Sequence, residues 1–106
     1  MFWNIWKIIV RVFLSAIREL AQIPAPSGQE ELRAQWCKQY LESLGATGVY
    51  IDEALNVIFP YGDMNGDLCA ILGHTDVVFP DTTPLPFKEE NGRYYAPGIG
   101  DDTTNA

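Results

Sequence analysis

The first twenty positions, MFWNIWKIIVRVFLSAIREL, are mostly apolar, and the apolar residues recur at helical rather than alternating spacing. Ile5, Ile9, Val12, Ala16 and Leu20 fall on one face, which predicts a helix. Trp3, Trp6 and Val10 add apolar surface on other faces, as in a buried helix or one that packs on a partner. Lys7 and Arg11 break the run well short of the ~18 apolar residues needed to span a bilayer. No small-residue cleavage site follows, so a secretory leader is not expected. A helix lying on a membrane surface is the sharper alternative for this segment.

The prolines and glycine of IPAPSGQE end this helix. Ser27 with Glu30 forms the S-x-x-E pattern of a capping box. A second helix is predicted from about Gly28 to Leu44, with Leu32, Trp36, Tyr40 and Leu44 as its apolar stripe and Glu31, Arg33, Lys38 and Glu42 on its solvated side. Gly45 supplies the stop. Beyond it the period shortens. GVYID, NVIFPY and LCAILG read as strands, the last two joined by a hairpin turn at Asn65–Gly66. PFKEENGRYYAP reads as two more strands around Asn91–Gly92. LCAILG is apolar throughout, as expected of a strand covered on both faces. Asp63, Asn65 and Asp67 lack the rest of a calcium loop and read as turn residues. Two helices followed by strands of a mixed sheet make the expected class α/β.

The chain has 106 residues, one small domain or part of a larger one. Seven Lys and Arg against 14 Asp and Glu give a net charge of −7. The basic residues are scattered, which argues against nucleic acid as a partner. Cys37 and Cys69 are expected as buried thiols of a reducing compartment, consistent with a cytoplasmic protein. No further Cys or His stands at ligand spacing from them.

The chemistry concentrates at two places. ILGHTDVVFP carries the only histidine, His74, at the end of the apolar run, with Asp76 two positions on. Residues i and i+2 of an extended chain point to one side, so Asp76 can orient the imidazole. The carboxyl ends of strands in open α/β sheets face the ligand crevice. APGIGDDTTN then places Asp101 and Asp102 side by side after Gly98 and Gly100. Adjacent carboxylates repel unless a cation lies between them and other groups, although a solvated turn or a helix cap suits Asp equally well. One imidazole and these carboxylates make a nitrogen-plus-oxygen donor set that zinc accepts, but too small to complete a site.

Three segments in this order, FLSAIRELAQIPAPSGQEE, GHTDVVFP and YYAPGIGDDTTN, resemble the start of the dizinc family of aminoacylases, dipeptidases and carboxypeptidases. That family includes tripeptidase T, acetylornithine deacetylase and succinyl-diaminopimelate desuccinylase. The resemblance covers about residues 13 to 105 and weakens before Phe13. It implies the N-terminal part of a three-layer α/β/α catalytic domain. It also implies that His74 binds one zinc, that Asp101 bridges two zincs with Asp102 as the fallback, and that Asp76 is the catalytic-site carboxylate orienting His74. Thr103 stands where many members carry a lysine.

By the same resemblance the reaction is hydrolysis of a peptide or N-acyl amino-acid amide by zinc-activated water, with Co2+ or Mn2+ as alternative metals. The glutamate that moves the proton belongs to a downstream Glu-Glu pair. Glu30–Glu31 and Glu89–Glu90 stand upstream of Asp101 and in the wrong context. Residues 1–106 are therefore expected to be the N-terminal portion of one catalytic domain. The lid or dimerisation domain and the C-terminal catalytic half would lie elsewhere, the isolated piece would be inactive and the full-length form would be a homodimer. Two other readings compete with this one. One is a non-catalytic binding module built on a half-sheet. The other is a protein anchored on a membrane by residues 1–20, against which the negative charge counts.

Overall fold

The computed structural model describes residues 2–106, with the side chains of Phe2 and Trp3 left outside the description. The fold is mixed α and β. Helix α1 spans Phe2–Gln22 and α2 spans Glu31–Ser43. Strands β1 (Tyr50–Ile51) and β2 (Val57–Ile58) pair antiparallel, as do β3 (Lys88–Glu90) and β4 (Arg93–Tyr95). The two ribbons are separate, so no mixed sheet forms among the described residues. The one parallel pairing among the described residues is a bridge between Pro26 and Val77.

Helix α1 forms where its period places it, but only its C-terminal part is covered. Ile17, Leu20 and Ala21 are buried, whereas Ile5, Ile9 and Val12 of the expected inner face are about half exposed, as are Trp6 and Val10. Apolar residues all round thus mark a helix exposed over residues 4–13, rather than one enclosed in a core. No helix among the described residues is long and apolar enough to cross a membrane.

Helix α2 begins three residues later than expected, and its inward face is rotated by about one residue, roughly 100°. Arg33 and Ala34 are its buried positions, while Leu32 and Leu44 are exposed. Trp36 and Tyr40 stack with ring centroids 4.8 Å apart. The capping box does not form: the Glu30 carboxylate accepts from the Gly28 amide at 2.6 Å, and the Ser27 hydroxyl points away from the helix.

The Asn91–Gly92 hairpin appears as predicted. Both residues have positive φ, 53° and 73°, as the tight turn between twisted strands requires. The Asn65–Gly66 hairpin does not appear. Asp63 instead accepts from the Asn65 amide at 2.9 Å, a local turn with no flanking ladder. Residues 61–74 are all exposed, and LCAILG forms no strand. A strand is stable only against neighbours, and no described segment pairs with this one. Cys69 is exposed in consequence, whereas Cys37 is partly buried.

The core is small: Ile17, Leu20, Ala21, Ala25, Ala34, Val49, Val77 and Leu85. It sits where the turn after α1 meets the segment following His74. The Val77 amide donates to Ala25 O and the Leu85 amide to Gln22 O, both at 2.8 Å. The molecule is a slab with extents of 47 × 44 × 21 Å and a radius of gyration of 15.2 Å. A compact chain of this length would measure about 13 Å. The excess reflects the uncovered end of α1 and the exposed segment 61–74.

Candidate metal centre

Three stretches distant in sequence meet beside the Pro26–Val77 bridge: the turn after α1, residues 74–76, and the turn Ile99–Thr103. The bridge fixes the second stretch against the first. Gly98 fixes the third. Its φ is +69°, and a Cβ there would lie 2.4 Å from Val77 Cγ1. Only glycine lets the Asp101-bearing turn pack this closely on the His74-bearing segment. The peptide between Asp101 and Asp102 is cis.

His74 stands between two carboxylates. Its Nδ1 lies 2.9 Å from Asp76 Oδ1 and its Nε2 lies 3.0 Å from Asp101 Oδ1. Asp76 is held in turn, because the Ser27 hydroxyl donates to its other oxygen, Oδ2. Asp102 faces a different way. It accepts from the His74 backbone amide at 3.2 Å and from the Asn105 side-chain amide at 2.5 Å. The structure therefore brings His74, Asp76 and Asp101 side chain to side chain, while Asp102 braces the backbone behind them. The side chains of His74 and Asp101 are 51% and 79% exposed, so the pair is open to an incoming ion.

The electrostatics follow from this chain of contacts. The hydrogen bond to Asp101 is the largest influence raising the His74 imidazole above its ordinary value, and Asp76 adds to it. The Ser27 hydroxyl does most to hold the Asp76 carboxyl below its usual range, with His74 next. With Asp76 accepting the Nδ1 proton, Nε2 has two states. It carries a second proton donated to Asp101, or it turns a lone pair towards a carboxylate. The second state is repulsive unless a cation stands between them.

An imidazole oriented at Nδ1 by a carboxylate is an arrangement that can also serve a metal ligand. Nitrogen and oxygen donors on one tetrahedral zinc stand roughly 3.3 Å apart, a few tenths of an ångström from the gap seen here. The fit is partial. Among the described residues no group of three or more His, Cys, Asp or Glu side chains is arranged to hold a metal ion. His74 and Asp101 suit two of the three or four donors zinc takes, and the described residues supply no others.

A cleft of ≈ 530 Å³ opens beside His74, lined among others by Glu30, Leu41, Leu55, Ile58 and Leu72. A second groove, ≈ 500 Å³ and almost wholly apolar, runs between α1 and α2 and does not include His74. The first is the one with chemistry at its edge.

No family model matches the chain.

The sequence missed Ser27 and Arg33. Ser27 read as a helix cap but serves Asp76. Arg33 read as a solvated helix residue but is fully buried. Its Nε donates to Ile23 O at 2.8 Å, and its Nη1 donates to Thr75 O at 3.1 Å and to Thr103 Oγ1 at 2.9 Å. The available signal was the row Arg33, Cys37, Leu41 beside Ala34, a second stripe that runs next to the more apolar one.

Proposed function

We propose that this chain carries part of a dizinc amidohydrolase site acting on peptides or N-acyl amino acids. His74 and Asp101 serve as zinc ligands and Asp76 as the carboxylate that aims His74. One observation carries the reading: the imidazole is held at Nδ1 by a carboxylate and faces a second carboxylate at Nε2, 3.0 Å away. The order of motifs and their resemblance to the dizinc peptidase family supply the reaction class and the three-layer fold as its frame.

In this site Asp76 accepts a hydrogen bond from Nδ1–H, which leaves the lone pair on Nε2. Ser27 holds Asp76 ionised and in place. Asp101 offers two oxygens, the requirement for bridging. Asp102, tied to the His74 amide, keeps the ligand-bearing backbones in register. Zinc bound there would polarise an amide carbonyl and lower the pKa of water towards neutrality. The remaining ligands and the proton-carrying glutamate would come from outside the described residues, so the chain by itself would hydrolyse nothing.

Zinc titration by isothermal calorimetry, with His74→Ala and Asp101→Asn alongside, tests the reading. Weak zinc binding that both substitutions abolish is expected. Binding that survives His74→Ala, or peptide hydrolysis by the chain alone, would overturn the assignment.

One observation favours the binding-module reading as a second. Residues 68–73 are exposed and apolar, with Ile71 98% and Leu72 91% accessible. Such a segment can add to another chain as a strand. A defined, concentration-dependent dimer that Leu72→Lys dissolves, together with no zinc binding, would put that reading first.

A further inference from the structure

We infer that Arg33 is a positioning residue for the His74–Asp101 pair, its buried guanidinium tying together the three chain segments that carry the site. The inference rests on the metal-site reading above.

Each bond of the guanidinium lands on a different part of the site. Nε holds Ile23 O, in the turn that leads to Ser27. Nη1 holds Thr75 O, the carbonyl between His74 and Asp76. The same Nη1 holds the hydroxyl of Thr103, two residues after Asp101. Thr75 and Thr103 are therefore joined through one nitrogen; His74 and Asp76 flank Thr75, Asp101 lies two residues before Thr103, and these three side chains meet at 2.9 and 3.0 Å. Displacing the Thr75 carbonyl would turn both His74 and Asp76, whereas displacing Thr103 would draw Asp101 away. Arg33 itself is carried by α2, which contributes no other side chain to the His74–Asp76–Asp101 constellation.

A purely structural role would be an expensive use of a guanidinium. Arg33 is 0% exposed and makes no ion pair among the described residues, and its Nη2 has no hydrogen-bond partner. Burial of a charge in this state costs stability that an apolar side chain of similar length would not. Desolvation depresses the Arg33 pKa, and the nearby Cys37 and Asp76 only partly oppose it. The guanidinium supplies what an apolar side chain cannot, several donors at fixed angles in one plane. Lysine has a single ammonium on a flexible stem and cannot reach Ile23 O and the other two acceptors together.

The test uses the full chain as wild type, Arg33→Met, Arg33→Lys and Val49→Ala. Val49 is buried, belongs to none of the three segments and sets the effect of lost stability alone. Two quantities are read on each: zinc affinity, by competition with a chromophoric chelator, and the imidazole 15N shifts of His74, which report whether Nδ1 keeps its proton. Wild type should show the Nδ1–H form. Arg33→Met should lose that signature and bind zinc about 10–100-fold more weakly. Arg33→Lys should fall between them, and Val49→Ala should keep both properties despite a lower melting temperature. A wild-type imidazole signature in Arg33→Met, or an equal loss in Val49→Ala, overturns the proposal. Should Arg33→Met not fold, Arg33→Lys decides, and a wild-type signature there counts against the clamp. If wild type binds no zinc, the metal reading fails while the imidazole signature still judges Arg33.

Discussion

Replacing Gly98 by alanine should damage the fold by a route that the structure makes quantitative. Gly98 sits at φ +69°, where an L side chain costs about 1–2 kcal/mol. The new Cβ would also lie 2.4 Å from Val77 Cγ1, well inside van der Waals contact. Val77 is 2% exposed and cannot swing into solvent, so overpacking adds about 1–3 kcal/mol. Gly98→Ala should therefore destabilise by about 2–5 kcal/mol. The two contributions separate in a double-mutant cycle. Val77→Ala alone should cost about 2 kcal/mol through lost burial and a small cavity. It removes the clashing methyl, so in Gly98→Ala/Val77→Ala only the backbone contribution and the Val77 cavity remain. The double variant should be more stable than the two single costs imply, by about 1–3 kcal/mol. Urea unfolding followed by tryptophan fluorescence and far-ultraviolet circular dichroism measures all four species. Additivity within about 0.5 kcal/mol would refute the close packing of Gly98 on Val77, and with it the account of how the Asp101 turn is seated.

Two further outcomes are expected. Iodoacetamide at neutral pH should label the exposed Cys69 before Cys37, whose thiol is pushed up by burial more than Arg33 pulls it down; mass spectrometry of partly labelled protein would expose the reverse order. Asp52 accepts bonds from the Asn56 side chain and amide and from the Ala54 amide, and Asn56 does most to hold its carboxyl below the usual value. A lowered native pKa gives stability that is present above the unfolded value of about 4 and lost as pH falls through the native one. Asp52→Asn should therefore flatten the acid limb of the stability–pH curve, and an unchanged limb in denaturant melts between pH 5 and 2 would contradict the turn as described.

What could be read from the sequence depended on the range of the interactions involved. The helix of residues 2–22 and the Asn91–Gly92 hairpin follow from spacing and turn chemistry, both local. The pairing of His74 with Asp76 was legible because i and i+2 share a side in extended chain, and the structure keeps that relation without a strand around it. LCAILG failed because apolar character does not create the neighbour that a strand needs. Arg33 failed because a cation on a helix is ordinarily solvated. Its burial is decided by Ile23, Thr75 and Thr103, which are 10, 42 and 70 residues away in sequence. Ser27 failed because the capping pattern was a sufficient local explanation, and its partner Asp76 lies 49 residues on. The misreadings at the site share this cause, since each residue answers to a partner from another segment.

The wide spacing of those partners sets an order in time. Lengthening a loop from 27 residues, His74 to Asp101, to 70, Arg33 to Thr103, adds about 0.8 kcal/mol of closure entropy. Helix α2 and the β3–β4 ribbon need no such closure and can form early in folding. On a ribosome adding about 5–20 residues per second, Arg33 precedes Thr103 by roughly 4–14 s. Throughout that interval the guanidinium is still hydrated, and the carbonyls and hydroxyl it will hold are not yet gathered. The pairing of His74 with Asp101 thus reaches its held geometry only once every segment the guanidinium ties together has been synthesised.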